Sequence, residues 1–338
     1  MSLFGQTLEI GCDIGSHSIK WLEGVHRGTQ FKLTHYLEKP LPHNAIVDGK
    51  IRDFAAVARA FKEIFNKASS RENVSIAIQG AEVVVRKMKL PTLSREESSA
   101  CIEWEAEQYF PFEKENAYLD YVRVGDTHAL ILAADKNLVN SYTQFLNDLK
   151  ITIKTVETPA LALEKVWKLN YPEEAQKNVA VLSLGASFSS ITIFHNNTLH
   201  WHYPIFSSGN NLTTDIQKNL KLTFEEAENL KQGGREGAPT EINKMIDSHL
   251  ERLGEAVLHA FKVLLAGEPS MVFEKIYVTG GVSKMPHLIQ NLSEKLGIPV
   301  NILEPFKNIL FHKNKIDKNT LQQVEIQAAA ALGLALKG

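Results

Sequence analysis

Residues 180–193 read AVLSLGASFSSITI, and residues 10–22 read IGCDIGSHSIKWL. Displaced by 170 positions, the two stretches superimpose, with Gly15 falling on Gly185, Ile14 on Leu184 and Asp13 on Ser183. Each opens with an apolar run (Leu8, Ile10, Cys12; Val179, Val181), turns at a glycine and resumes with a second (Ile19, Trp21, Val25; Ile191, Ile193, Phe194). The offset persists through the polar turns HRGT (26–29) and NNTL (196–199) into FKLTHYL and HWHYPIF. Strand, glycine turn, strand, turn, strand is a β-meander written twice. Each copy is followed by helical patterning, DFAAVARAFKEIFNKA and TDIQKNLKLTFEEAENLKQ. The agreement of turn and strand offsets predicts a duplicated α/β architecture, two halves facing each other across a cleft where a ligand would bind.

The bulk composition fits that reading. A chain of 338 residues is long enough for two domains with buried cores. With 44% hydrophobic and 22% charged residues and a net charge of −2, it lacks the basic excess of a broad nucleic-acid binder. Two cysteines, Cys12 and Cys101, do not make a disulfide framework and suggest a reducing cytoplasm. The N-terminus has no basic-then-apolar signal pattern, and the longest apolar run, AAAALGLAL, is too short to span a bilayer. Membrane association is therefore expected through a partner rather than by insertion.

Between the halves lies a segment that the second half lacks. VSIAIQGAEVVVRKMKLP (74–91) reads as two strands about Gly80, and SREESSACIEWEAEQY (94–109) as a helix opened by a Ser94-x-x-Glu97 capping box and stopped before Pro111. LDYVRVG and HALILAADK add strands, and LVNSYTQFLNDLK a second helix. The expected division is residues 1–73 as the first half, 74–152 as an inserted module, and 153–338 as the second half, whose closing helix packs back on the first. Ala100 and Trp104, on one face of the inserted helix, are expected in its core. Glu103, Glu105 and Glu107 make either a solvated face or an acidic surface for a basic partner peptide.

In DIGSHSIK, a turn at Gly15 flanked by Ser16 and Ser18 exposes backbone N–H groups that can hold phosphate oxygens. Asp13 at the strand end can organise Mg²⁺ through water, and Lys20 can reach a phosphate as a point charge. A tight hairpin with polar turn residues would look the same in isolation. The second copy and a third element, KIYVTGGVSKMPHLIQNLSEKLGIPV, favour a nucleotide cleft. There a buried-type strand ends at Gly280-Gly281 before an amphipathic helix, so backbone can lie flat against a ring or phosphate. His200 and His202 alternate on a strand, but no cysteine or carboxylate at ligand spacing joins them, which argues against zinc.

D-x-G-x-x-S-x-x-K, the second glycine-alanine turn and V-T-G-G together resemble the actin-like ATPase superfamily. EAEQYFPF (105–112) followed by LDY, ILEPFKNI (302–309) and IQAAAALGLAL resemble the PilM family of type IV pilus assembly over essentially the whole chain. The resemblance implies an actin-like ATPase fold with a small α/β subdomain inserted, as in FtsA and PilM. It also implies a first phosphate loop of Asp13, Gly15, Ser16, His17, Ser18 and Lys20, and a second of Gly185, Ala186 and Ser187. Glu228 and Lys231 would approach the ribose and adenine, and Gly280, Gly281, Val282 and Ser283 would flank the adenosine of a bound ATP with Mg²⁺.

Further implications are a cytoplasmic location peripheral to the inner membrane and binding to the short cytoplasmic tail of a PilN-like membrane protein. Membership of the inner-membrane alignment complex and self-association would follow from the same likeness. Glu103, Glu107, Tyr109 and Phe110 are the candidate tail contacts, with the insert's junction with the first half as the expected site. Alternatives are a GspL-like type II secretion component or an FtsA-like protein; the latter is disfavoured because no linker and amphipathic helix follow GLALKG. Ser183 stands where the superfamily usually has an aspartate beside the attacking water. A hydroxyl brings no charge and is a poor base, a loss typically costing ~10²–10⁴ in rate, so no side chain is assigned a catalytic role and hydrolysis is expected to be weak or absent. His17 is a second departure, which either adds a donor or crowds the γ-phosphate.

Overall fold

The computed structural model describes residues 7–91, 94–109, 113–125, 127–232, 240–311 and 324–337. In the first half, β1 (Leu8–Ile14), β2 (Ser18–Arg27) and β3 (Gln30–Pro40) form the expected meander. The short pair β4 (Ile46–Val47) and β5 (Lys50–Ile51), helix α1 (Phe54–Phe65) and β6 (Val74–Ala77) follow. Then come β7 (Val83–Lys89), α2 (Arg95–Tyr109), β8 (Ala117–Val124), β9 (His128–Asp135), α3 (Lys136–Asp148), β10 (Ile153–Glu157) and α4 (Pro159–Asn170). The second meander is β11 (Val179–Leu184), β12 (Ser189–His195) and β13 (Thr198–Ile205), followed by α5 (Gly209–Leu220), α6 (Phe224–Gln232) and α7 (Thr240–Gly267). The chain closes through β14 (Lys275–Thr279), α8 (Leu288–Leu296), β15 (Val300–Ile302), β16 (Leu310–Phe311) and α9 (Ala329–Ala335).

The duplication is visible in the sheets. One has the order β10-β6-β1-β2-β3-β16 and the other β13-β12-β11-β14-β15. Leaving β16 aside, both read third, second, first, fourth, fifth strand, antiparallel within each meander and parallel beyond it. The register repeats as well: Asp13 sits opposite Lys20, and Ser183 opposite Ser190. Each glycine turn closes with the same hydrogen bond, Gly15 N–H to Ser18 O at 3.1 Å and Gly185 N–H to Phe188 O at 3.0 Å. This is an actin-like fold.

The insert is smaller than its sequence suggests. β6 pairs in parallel with β1 as the fourth strand of the first-half sheet, and β10 is the fifth. Helix α3 contributes Leu138, Tyr142, Phe145 and Leu146 to the core of that half. The separate module is the three-stranded sheet β7-β9-β8 with α2, so the expected limits 74 and 152 give way to Val83 and Asp135. VSIA reads as insert only because its partner strand lies more than sixty residues upstream. The start of the second half shifts likewise, since β10 and α4 come after residue 153. The capping box forms, with Ser94 N–H donating to Glu97 (2.9 Å) and Glu97 N–H to Ser94 Oγ (3.2 Å). Ala100 and Trp104, however, are exposed rather than in a core, Trp104 at 72%, because the opposite face of α2 carries Ile102 onto the insert sheet.

The halves are joined by a shared core. Leu22 and Phe31 from the first, Phe194 and Tyr277 from the second, and Trp167 of α4 belong to one apolar cluster. Trp167 stacks between Tyr171 and Phe194, with centroids 4.5 and 5.7 Å away. Trp21 is fully buried in the first half, and Trp201 is half-buried against Tyr203 in the second. Helix α9 packs on β1 of the first half. It does so backbone to backbone: a Cβ on Gly11 of β1 would lie 1.9 Å from the Ala331 carbonyl oxygen, and one on Gly333 1.9 Å from that of Ala162. Either glycine replaced by alanine must push backbone aside. Gly11→Ala and Gly333→Ala are each expected to destabilise the protein by about 1–3 kcal/mol, measured by denaturant unfolding. Gly267→Ala, in open space at the end of α7, should leave stability unchanged or raise it by up to about 1 kcal/mol.

Candidate functional site

The cleft between the two sheets gathers most of the residues singled out in the sequence. On the first side, strand register forms a charged row: Asp13 lies opposite Lys20, and Lys20 opposite Glu38. The Asp13–Lys20 ion pair is 3.6 Å long and largely screened from water. Ser18 Oγ donates to Glu38 (2.6 Å), as do Tyr36 Oη and Gln327 Nε2, each at 3.1 Å. The matching row in the second half is Ser183, Ser190 and Pro204, which carries no charge.

The second glycine turn is held to the start of α5. Gly209 N–H donates to Gly185 O (3.1 Å), Asn210 N–H to Ala186 O (2.8 Å), and the Asn210 amide to Ser187 Oγ (3.0 Å). Glycine is required at 185 because a Cβ there would come 2.4 Å from the Phe188 carbonyl oxygen. Glu228 and Lys231, one turn apart on α6, form a 2.6 Å ion pair. Thr213 of α5 ties both, donating to Glu228 at 2.6 Å and accepting from Lys231 at 2.8 Å. Burial pulls the Lys231 ammonium below its usual range against the pull of Glu228. Burial also opposes the Glu228 charge, but Lys231 and the hydrogen bonds outweigh it and hold that carboxyl below the ordinary range.

The third turn packs beside them. Gly280 has φ +96°, and a Cβ on it would lie 2.4 Å from the Leu184 carbonyl oxygen. Its N–H donates to Ile326 O at 2.7 Å, and Thr279 Oγ1 reaches the same oxygen at 2.5 Å. Val282 approaches the Gly209 position, bringing turn, α5 and Lys231 together. His17 feels Glu228, Lys20 and Lys231, and burial holds its imidazole below its usual value. Lys284 is likewise lowered, by burial first and then by Lys20, against Glu38. The halves also touch directly, for the His43 ring stacks on Phe224 at 3.4 Å between centroids.

These residues fit a nucleotide. The Ser283 hydroxyl is buried with no partner, and the Gly281 face is open, a Cβ there meeting only Gln327 Oε1 at 3.6 Å. For a metal, Asp13 is the first-loop carboxylate. Among the described residues no group of three or more His, Cys, Asp or Glu side chains is gathered to hold an ion directly. Thr213, Glu38, Lys284 and the His43–Phe224 pair were not singled out in the sequence. Glu38 alone had a signal there, its alignment beside Lys20 across the second hairpin.

A second feature is a groove of about 910 Å³ between the insert and the first half. Its walls include Val122 and Leu132 of the insert, Val156 of β10, Leu161 of α4 and Leu336 just after α9. Lys165 spans its edge, donating to Glu157 (2.9 Å) and to the Leu336 carbonyl (3.3 Å). Glu103 is exposed on α2 and does not line this groove. The side chains of Glu107 and Tyr109, and Phe110 entirely, lie outside the described residues. His200 is bonded to Glu268 (2.7 Å) and Lys87 (2.8 Å) where the insert meets the second half. No helix among the described residues is long and apolar enough to cross a membrane.

Elsewhere in the second half, His249 of α7 is 1% exposed, and neither ring nitrogen has a hydrogen-bond partner. Burial, then Arg252 and Lys231, push its pKa down to about 4. Unfolded, the ring titrates near 6.5, so the unfolded state binds the extra proton between those values. Stability from this group is complete above about pH 6.5 and is lost as pH falls toward 4, by up to about 3 kcal/mol. His249→Leu should flatten that part of the stability–pH curve, read by denaturant unfolding between pH 4 and 7.

Solved structures share the fold. The chain superposes with TM-score 0.86 on a structure of a PilM–PilN type IV pilus biogenesis complex, at 23% identity over 97% of each chain. It matches the ethanolamine utilization protein EutJ from Carboxydothermus hydrogenoformans with TM-score 0.59, at 14% identity over 98% of this chain and 90% of that one. The family described as type IV pilus assembly protein PilM matches residues 11–338. With a duplicated actin-like core, an inserted three-stranded module and a family match over nearly its whole length, the chain belongs to the PilM family of type IV pilus assembly proteins.

Proposed function

We propose that the protein is a cytoplasmic scaffold of type IV pilus assembly, held at the inner membrane by gripping the N-terminal tail of a PilN-like protein. The apolar groove between insert and first half carries this reading. It is large enough for an extended segment, and two end strands, β8 and β10, contribute to its walls. An end strand leaves main-chain donors and acceptors that an incoming chain can use. Other members of the inner-membrane alignment complex, and further copies of the chain, would be recruited around that grip.

Nucleotide, with Mg²⁺, belongs to the cleft in this reading. The two glycine loops would hold the phosphates, Glu228 and Lys231 the ribose and base, and Asp13 the hydrated metal. When bound, ATP–Mg²⁺ supplies a phosphoanhydride that water can in principle cleave. The neutral Ser183–Ser190–Pro204 row offers no carboxylate to orient that water. Binding rests on backbone donors and Lys20 and survives the change, whereas turnover does not. Nucleotide then acts by favouring one angle between the halves, to the extent that it binds that state better.

Titration calorimetry with ATP–Mg²⁺ and with a synthetic cognate PilN N-terminal tail, each with and without the other, tests both parts. Both ligands are expected to bind, with negligible phosphate release. Val122→Arg, placing a charge on the insert wall, should weaken the tail at least tenfold while leaving nucleotide binding unchanged. A tail that binds Val122→Arg as well as the parent protein would sink the groove assignment. Rapid ATP turnover would sink the scaffold reading.

A further inference from the structure

Besides the shared apolar core around α4, to which neither ring belongs, the halves meet through His43 and Phe224. The two rings lie 3.4 Å apart between centroids, with planes 16° from parallel. Each stands on a stiff mount. His43 is exposed at the tip of a tight turn, where Ala45 N–H donates to Pro42 O (3.1 Å) and Asn44 takes φ +63°. The base of that turn is tied by Leu41 N–H to His17 O and by Arg52 N–H to Ala45 O, both 2.8 Å. Phe224 opens α6, whose start is closed by Thr223 N–H to Glu226 (2.8 Å) and Glu226 N–H to Thr223 Oγ1 (3.3 Å). Leu222 and Leu230 on either side pack on the second-half core, whereas Phe224 is half-buried and is no member of it. Its ring is spent on the other half instead. Both mounts lead to the cleft. The His43 turn hangs from His17 of the first glycine turn, and Phe224 lies one helical turn before Glu228. Burial keeps the His43 imidazole below its usual range, against the pull of Glu228, so it meets Phe224 as a neutral ring at pH 7.

We propose that the His43–Phe224 stack is a latch across the cleft that sets how fast nucleotide enters and leaves. The inference rests on the nucleotide reading above and adds its control. Separating the halves on this side parts the rings, because each moves with the turn or helix that holds it. An aromatic pair at the surface is weak enough to break in thermal opening, yet it biases that opening by about threefold to tenfold. The rings part during passage and close again over an empty or a filled cleft. The latch therefore slows entry and exit by the same factor and leaves affinity alone, as a gate does and a binding contact does not.

The test is stopped-flow exchange of N-methylanthraniloyl-ATP with Mg²⁺ on the full-length protein, comparing the parent with His43→Ala, Phe224→Ala, the double variant and His43→Tyr. Association and dissociation rates should both rise about threefold to tenfold in each alanine variant, with Kd unchanged. The double variant should be no faster than either single one, because both remove the same contact. His43→Tyr keeps a stacking ring and should behave as the parent. Should Phe224→Ala fold poorly, His43→Ala still decides, since its side chain is exposed and its denaturant midpoint should match the parent's. A rise in dissociation alone, with weaker Kd, makes His43 a direct nucleotide contact and overturns the latch. Unchanged rates in His43→Ala overturn it too and leave the nucleotide cleft standing. A parent protein that fails to bind the analogue removes both.

Discussion

The architecture depends on how closely α9 is allowed to approach its neighbours. It lies against β1 and α4 with almost no side chain between, because Gly11 and Gly333 leave room for carbonyls where a methyl would collide. That contact is made by the last described helix on the first strand. The turn before α9 presents Ile326 O to Gly280 and Thr279, and Gln327 to Glu38. The residues after it, Leu336 and Lys337, line the groove. One short helix therefore touches both the cleft and the groove, and its fit is set by atoms that cannot yield cheaply.

The two halves show what duplication preserves and what it releases. Strand order, register and the glycine-turn hydrogen bond are the same in both, since each meander needs them to form at all. The side chains of the cross-strand row are free to differ. Asp13 is paired with Lys20, and Glu38 is held by the neutral donors Ser18, Tyr36 and Gln327. Ser183, Ser190 and Pro204 have nothing to answer. Loss of charge costs the fold nothing there because no opposite charge is left stranded.

Much of this was readable from the chain because it is local. Glycine turns, apolar alternation and a capping box are set by neighbours in sequence, and they located both meanders, both of their glycine turns and the Gly280–Gly281 turn. What sequence could not give is set by distant pairing. Residues 74–77 look like part of the insert until β6 is seen beside β1. Trp104 looks like core until the opposite face of α2 proves to be the packed one. The groove draws on residues from His26 to Lys337, so no single window contains it. Thr213 was overlooked for the same reason: its partners on α6 lie fifteen and eighteen residues away, and nothing in its own surroundings marks it as a tie.

The four tryptophans have an unplanned use. Trp21 lies inside the first half and Trp167 at the seam, Trp201 is half-covered in the second half, and Trp104 stands out on the insert. Indole emission shifts to the red with hydration and is quenched by small solutes only where they can reach the ring. The insert therefore carries a water-facing fluorophore of its own, optically separable from the two sealed ones. Substituting Trp104 would darken that channel and leave the others lit, giving a label-free way to follow the insert while the remainder of the molecule is held still or set in motion.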